Sequence, residues 1–283
     1  GDGNGPADGD GSGDAANGDE SGAGNCGNGS NGDCTNCGHN VAAGDPVDIG
    51  TGRVYTAPAF DLTLPGPLPF AFRRKYSSHS RKRDVGLGPG WVHSLAWEIV
   101  VKRTQTQVWD GDGVRADFPL VEQGDEVQHR HQRRLRREAE GFVLRDDAFE
   151  RYFKPAPNDP MLFKLAHMRD RNGNTIPLEY TATGVLARII DCVGRVIQVG
   201  SDPRGHITHL AVHNAASQGQ LIYAARYSYD EPGRLVCVTD AGNYGNDYGY
   251  DDRDRLTWHR LAGRPTFHFV YDDRDRCIET WGA

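Results

Sequence analysis

The C-terminal stretch of the chain repeats itself, and that limits what it can fold into more than any other feature. Tyr229-Asp230-Glu231-Pro232-Gly233-Arg234-Leu235 is followed by Tyr250-Asp251-Asp252-Arg253-Asp254-Arg255-Leu256, and then by Tyr271-Asp272-Asp273-Arg274-Asp275-Arg276-Cys277. The tyrosines keep a spacing of 21 residues (229, 250, 271), with an arginine five positions after each. Copies at one period mark a repeat architecture, in which each unit buries its apolar face only against its neighbours.

Each unit reads as a pair of strands around a tight turn. Tyr227 and Tyr229, Tyr248 and Tyr250, and Phe269 and Tyr271 alternate with smaller or polar residues, which puts both rings of a pair on one strand face. The aspartate after each tyrosine can accept amides from further round the turn. Gly233, Asp254 and Asp275 fall where a hairpin turn often needs a positive φ. Two strands and a turn use up 21 residues and leave no room for a helix of ordinary size. The expected fold is therefore all-β, an antiparallel repeat-sheet array.

The Tyr-Asp-x-x-Gly-Arg-Leu pattern resembles the YD repeat of the Rhs family, large bacterial proteins related in architecture to insecticidal toxin-complex shells and to teneurins. Gly44–Gly52, Leu64–Pro69, Arg74–Ser78 and Gly86–Leu95 resemble the module that precedes those repeats. Together the two regions cover most of residues 44–282. The resemblance implies a hollow β-shell that encloses and delivers a C-terminal toxic domain, with the front module starting or capping the wall. It implies three regions: a tail (1–40), a capping β-module (41–160) and YD repeats (161–283), the first copies degenerate. The implied partners are further repeats and a C-terminal toxin domain, in cis or from another chain. Secretion machinery and carbohydrate are further partners it allows, and the implied location is secreted or attached to the cell envelope. The chain stops at Trp281-Gly282-Ala283 with no toxin domain, so it is expected to be a fragment, truncation or orphan with an open last strand.

Composition separates the tail from the rest. Residues 1–40 hold thirteen glycines, seven acids, no Lys or Arg, and no Val, Ile, Leu, Met, Phe, Trp or Tyr. Such a segment cannot bury enough apolar surface to offset chain entropy and is expected to be disordered. The net charge of −7 belongs to it alone, because the other acids (39 less 7) equal the 32 bases. A balanced remainder has no global attraction for nucleic acid. No apolar run approaches the ~20 residues of a membrane-spanning helix.

The remaining motifs are weighed against structural readings. Cys34-Thr35-Asn36-Cys37, with Cys26 and His39, offers four potential zinc ligands, but Cys37 and His39 stand too close for a proper second half-site. A local disulfide or idle thiols is the plainer reading, and Cys192, Cys237 and Cys277 are expected as small core residues. Asp61–Phe70 places Pro65, Pro67 and Pro69 in a rigid edge or rim connection. Gly86-Leu87-Gly88-Pro89-Gly90-Trp91 lacks the Gly-Lys-Ser/Thr of a phosphate loop and reads as a tight turn beneath Trp91. Glu98–Trp109 reads as one strand, followed by a hairpin turn at Asp110-Gly111-Asp112-Gly113. The basic run His129–Arg137 could meet nucleic acid, yet Glu138 and Glu140 follow it and a solvated strand or turn is the simpler reading.

Tyr180–Leu186 looks like a degraded repeat, and Asp191–Val196 and Asp202–Ile207 like two more partial copies. Asp202-Pro203-Arg204-Gly205 partly matches the motif at which Rhs shells release their C-terminal domain, but His206 replaces its leucine and the site precedes the clearest repeats. It reads as an ordinary turn. No nucleophile elbow, zincin motif or P-loop is present, and paired acids such as Asp251-Asp252 recur with the repeat, as turn residues do. No catalytic, cofactor or metal site is expected. The leading function is a structural shell portion, and the alternative is a carbohydrate-binding or adhesive β-repeat module using Tyr229, Tyr250 and Tyr271.

Overall fold

The computed structural model describes residues 46–129, 133–213 and 220–283. The acidic tail, Cys26, Cys34, Cys37 and His39, the expected start at Val41 and the middle of the basic run lie outside the described residues.

Short strands open the described chain. β1 (Val47–Asp48) and β2 (Arg53–Val54) pair around the Thr51-Gly52 turn. β3 (Ala59–Leu64), β4 (Phe70–Tyr76) and β5 (Trp91–His93) form a three-stranded antiparallel sheet, and Pro65–Pro69 make the β3–β4 connection. β4 alternates strictly: Phe70, Phe72, Arg74 and Tyr76 are buried and the residues between them half-buried. That is the period of two read from its sequence, but one of the four inward side chains is a guanidinium.

The middle of the chain is a run of antiparallel strands: β6 (Glu98–Val101), β7 (Gln105–Trp109), β8 (Arg115–Pro119), β9 (Glu126–Gln128), β10 (Arg134–Glu138), β11 (Gly141–Arg145) and β12 (Phe149–Ala156). The single strand expected over Glu98–Trp109 is two. The chain reverses over Lys102–Thr104, with the Lys102 amide donating to the Gln105 carbonyl, so that Ile99 and Val108 face each other in the core. The apolar alternation continues through the reversal, and so it hid the turn. Asp110–Gly113 turns as expected, since Asp110 accepts the amides of Asp112 and Val114.

β13 (Asp159–Asp170) joins the middle strands to the repeats. One of its edges pairs with β12, and the other is shared between β6 at Leu162–Lys164 and β14 at His167–Arg169. The 160/161 division read from sequence falls at the start of this shared strand. From there the chain meanders through β14 (Thr175–Tyr180), β15 (Leu186–Ile190), β16 (Val196–Ser201), β17 (Ile207–His213), β18 (Leu221–Tyr229), β19 (Leu235–Asp240), β20 (Gly245–Tyr250), β21 (Leu256–Arg260), β22 (Thr266–Tyr271) and β23 (Cys277–Gly282), each antiparallel to the last. Helix among the described residues amounts to one 3-10 turn at Ser78–Ser80.

Inward-facing residues of β14–β22 enter one hydrophobic core, which also takes in Phe72, Tyr76, Leu87 and Trp91 from the front segment. Tyr227, Tyr248 and Phe269 are buried, with Tyr229, Tyr250 and Tyr271 packed against the same core, so each pair of rings shares a face. Cys277 stands in the leucine position of its unit but is only half-buried, whereas Leu235 and Leu256 are fully buried. Cys192 and Cys237 are likewise half-buried free thiols; Cys192 and Cys277 pack against the core, as expected, whereas Cys237 does not.

Candidate functional site: the seam between the front strands and the repeat turns

The repeat turns are built locally. In each clear unit the aspartate side chain accepts amides ahead of it: Asp251 takes those of Arg253 and Arg255 at 3.0 and 2.9 Å, and Asp272 takes those of Arg274 and Arg276. Its second oxygen receives the arginine Nε four residues on, at 2.7 Å in Asp230–Arg234 and 2.6 Å in Asp251–Arg255. One aspartate thus satisfies the whole reversal, as Asx-turn geometry allows. The turn needs a left-handed residue, and Gly233 (φ 96°), Asp254 (φ 58°) and Asp275 (φ 63°) supply it. Those are the positions expected from sequence. Hydrogen bonds from its own turn, led by the Arg276 amide, hold Asp272 below the ordinary carboxylate range.

Two further bonds tie each unit to its predecessor. The Tyr250 hydroxyl donates to the Leu235 carbonyl at 2.7 Å, and the Tyr271 hydroxyl to that of Leu256 at 2.8 Å. Tyr180 does the same to Leu165. In the other direction Arg234 and Arg255 each donate Nη1 to the carbonyl of the next unit's aspartate. Tyrosine, aspartate and arginine therefore bond both within and between units, which is why all three recur at one spacing.

The turns at 202–206, 230–234, 251–255 and 272–276 close successive hairpins at one end of the meander, and the front strands run along this row. A β-bulge interrupts the ladder just past each turn. A bulge breaks the pairing locally, and three of the amides beside these bulges donate to the front segment. Ile207 donates to the Gly86 carbonyl at 2.7 Å, Leu256 to the Tyr76 hydroxyl at 3.0 Å and Cys277 to the Gly52 carbonyl at 2.8 Å. At the remaining unit Gly88 lies so close that a Cβ there would stand 2.6 Å from the Gly233 carbonyl oxygen. Gly88 also has φ +82°, so only glycine suits that contact. Arg81 bridges two units, donating to the Arg253 carbonyl and to Asp275. The proline-rich connection reaches the opposite row, where Leu68 exchanges hydrogen bonds with the Cys192 thiol and Arg195 donates to the Pro65 carbonyl.

Beneath the seam lies a buried polar cluster. Arg74, 1% exposed, donates Nη1 to the Tyr248 hydroxyl at 2.7 Å and pairs with Asp61 at 3.0 Å; Tyr227 donates to Asp61 at 2.8 Å. The guanidinium also lies over the Trp91 ring, 5.3 Å from its centroid. Burial alone would pull Arg74 down, but Tyr248, Asp61 and Tyr227 leave it above its ordinary value, so it stays charged. Trp91 in turn donates to the Tyr250 hydroxyl at 2.8 Å. Nearby, His93 is stacked on Phe72 with Nε2 3.2 Å from the Val85 carbonyl, and burial pushes its pKa down to about 3, which keeps it neutral. His206 sits between two carboxylates, Nε2 3.1 Å from Asp84 and Nδ1 3.2 Å from Asp202.

Sequence reasoning foresaw the turn aspartates, arginines and glycine. It missed Arg74, Asp61 and Asp84; Arg74 and Asp61 pair with each other 13 positions apart, but their bonds to Tyr248 and Tyr227, and that of Asp84 to His206, span more than 120 positions. For Arg74 the one signal was a charge at an inward position of an alternating strand; Asp84, in the loop between the 3-10 turn and β5, carried none. The Gly86–Trp91 loop is the tight turn expected: Gly90 packs against the Tyr76 ring and Trp91 is fully buried. Of the basic run, Arg134–Glu138 form β10 with Leu135 inward and Arg134 and Arg136 outward, a solvated strand as read. No group of three or more potential metal ligands occurs among the described residues.

Comparisons with known proteins bear on the front segment and on the chain as a whole. Residues 44–118, the front strands and the first middle hairpin, match the family described as "Domain of unknown function (DUF6531)". The chain is 31% identical over 206 residues to "Double-stranded DNA deaminase toxin A" of Burkholderia cenocepacia (strain H111), covering 70% of this chain and 14% of that protein. It is 30% identical over 200 residues to "Probable deoxyribonuclease RhsA" of Dickeya dadantii (strain 3937), covering 68% of this chain and 13% of the relative. The chain thus spans about one-seventh of the length of these relatives. Among solved structures, the one titled "Crystal Structure of TcdB2-TccC3" matches over 79% of this chain and 17% of its own, with a TM-score of 0.44 and 11% identity. The sequence similarities support an Rhs-related chain.

Proposed function

We propose that this chain is the structural wall of an Rhs-type toxin: a capping module (41–160) followed by YD repeats (161–283) of a β-shell that sequesters and delivers a C-terminal toxin domain. The toxin would lie in cis or come from another chain, and the assembly would act outside the cell that makes it. The observation that carries this reading is the seam. Front-segment acceptors receive the amides beside three of the four bulges, and Gly88 packs on the remaining unit, so the front strands grip the array unit by unit and are not an independent bead beside it. An array needs such an atypical element where its regular pairing begins.

The repeat chemistry supports a wall over an active site. Aspartates recur with the period and spend both oxygens on turn amides and arginines, whereas acid–base catalysis calls for a pair of carboxylates in differing surroundings. The alternative carbohydrate reading loses its first candidates, because Tyr229, Tyr250 and Tyr271 bury their rings and donate their hydroxyls to main-chain carbonyls.

Two measurements test the proposal. Purified chain incubated with double-stranded DNA is expected neither to deaminate nor to cleave it; activity abolished by a point substitution within residues 46–283 would overturn the non-enzymatic reading. In the full polypeptide the gene encodes, sequence C-terminal to the repeats is expected to resist protease while the wall is intact and to be cut once Arg74→Ala opens the seam. Equal cutting in both would sink the enclosure.

A further inference from the structure

A groove of about 350 Å³ opens on the front segment, lined by β2, β4, the 3-10 turn, β6 and the β7–β8 hairpin. Its apolar lining comes from Tyr55, Val100, Trp109 and Val114, and Lys75 and Lys82 stand on its rim. The charges around it do not balance. Arg53, Lys75, Lys82 and Arg83 line it against two carboxylates, Glu98 and Asp112; Arg53 is already paired with Asp48 at 3.6 Å and both carboxylates are engaged, so Lys75 and Lys82 carry the excess. Glu98 pairs with Arg83 at 2.7 Å and with Lys164 at 3.6 Å, and Asp112 pairs with Arg73 at 2.9 Å. Among the described residues neither Lys75 nor Lys82 lies within ion-pair distance of a carboxylate. Arg83 lies 4.7 Å from the Trp109 ring centroid, which holds the indole half-buried in the groove.

From this we infer that the groove is a docking site for an acidic, extended peptide segment presenting an apolar side chain. Two lysines beside a concave apolar surface attract and orient an anionic partner, and the pocket then buries an anchor residue. The volume suits one or two side chains. A nucleic acid would instead need a longer basic track with several aromatic rings to stack successive bases, and here one indole stands beside four cations. The site borders the seam but uses none of the residues that hold the front strands to the repeats.

The test titrates the full chain with a short fluorescein-labelled peptide of glutamates around one phenylalanine, read by fluorescence anisotropy. Saturable binding that weakens with added salt is expected. The Lys75→Glu/Lys82→Glu variant should lose about tenfold or more in affinity with an unchanged circular dichroism spectrum, because both side chains are solvent-accessible and outside the core. Replacing the phenylalanine by serine should also weaken binding to the wild type, while Trp109→Phe should retain the preference for phenylalanine. Variant affinity within about twofold of wild type, equal binding of the lysine counterpart peptide, or full displacement by a single-stranded oligonucleotide would each overturn the inference.

Discussion

The repeat turns and the seam solve the same problem, satisfying backbone polar groups where a ladder ends, in opposite ways. A turn such as Asp251–Arg255 meets its needs from five consecutive residues at the surface. The seam meets its needs from partners up to 225 positions apart (Gly52 with Cys277), beneath a cluster in which Arg74 and Tyr248 are almost wholly buried. Local, solvated bonds contribute little each and can be replaced unit by unit. Buried, non-local bonds are costly to break, because the partner left behind has no water to turn to. The turns therefore set the period of the array, and the seam decides whether front strands and repeats hold together.

The largest expected effect is at Arg74. Arg74→Ala leaves the Asp61 carboxylate buried without its cation and should cost about 3–5 kcal/mol in urea unfolding. A loss below about 1 kcal/mol would erase the contrast between seam and turns. Gly88→Ala comes next, at about 2–3 kcal/mol, since it combines a left-handed backbone with a Cβ set 2.6 Å from the Gly233 carbonyl oxygen. Arg255→Ala, its counterpart in a turn, should cost about 1 kcal/mol, because solvent replaces part of what the guanidinium gives up.

Acid separates the two regions further. The folded-state pKa of His93 is depressed to about 3 from 6.5, so the unfolded chain binds a proton that the folded chain refuses. The stability this provides is complete above about pH 6.5 and is lost as pH falls from there towards 3. Turn carboxylates with lowered values, such as Asp272 and Asp202, lose their contribution only below about pH 3.8. Unfolding midpoints followed from pH 7 to 4 should therefore fall in the wild type and fall less steeply in His93→Phe; identical slopes would remove His93 from the account. The smallest effect expected is a gain. Asp254→Gly should add about 0.5–1 kcal/mol by relieving a left-handed residue, whereas Asp275→Gly should not, because it also gives up the bonds from Arg81 and Arg255.

Much of the fold could be read in the sequence, and the reason is physical. Period-two alternation in β4 and a 21-residue recurrence of tyrosine, aspartate and arginine both report interactions that repeat along the chain. Asp254 and Asp275 were legible as left-handed positions because they occupy the slot of Gly233. The reversal at Lys102–Thr104 was not, since the apolar pattern runs on through it. The half-burial of Cys277 was not either, for its exposure depends on the surface around it and not on its place in the motif.

What the sequence by itself determined is an all-β chain whose repeats each close their own turn, because the aspartate, the left-handed residue and the arginine lie within five positions. Only the tertiary structure decided that the front strands run along the row of turns, that Arg74 is held between Asp61 and Tyr248, and that Gly86, Tyr76 and Gly52 receive the amides beside the bulges. Except for Arg74 with Asp61, those contacts join residues more than a hundred positions apart. No local propensity encodes them; they form because buried donors and acceptors must find partners once the sheets have packed.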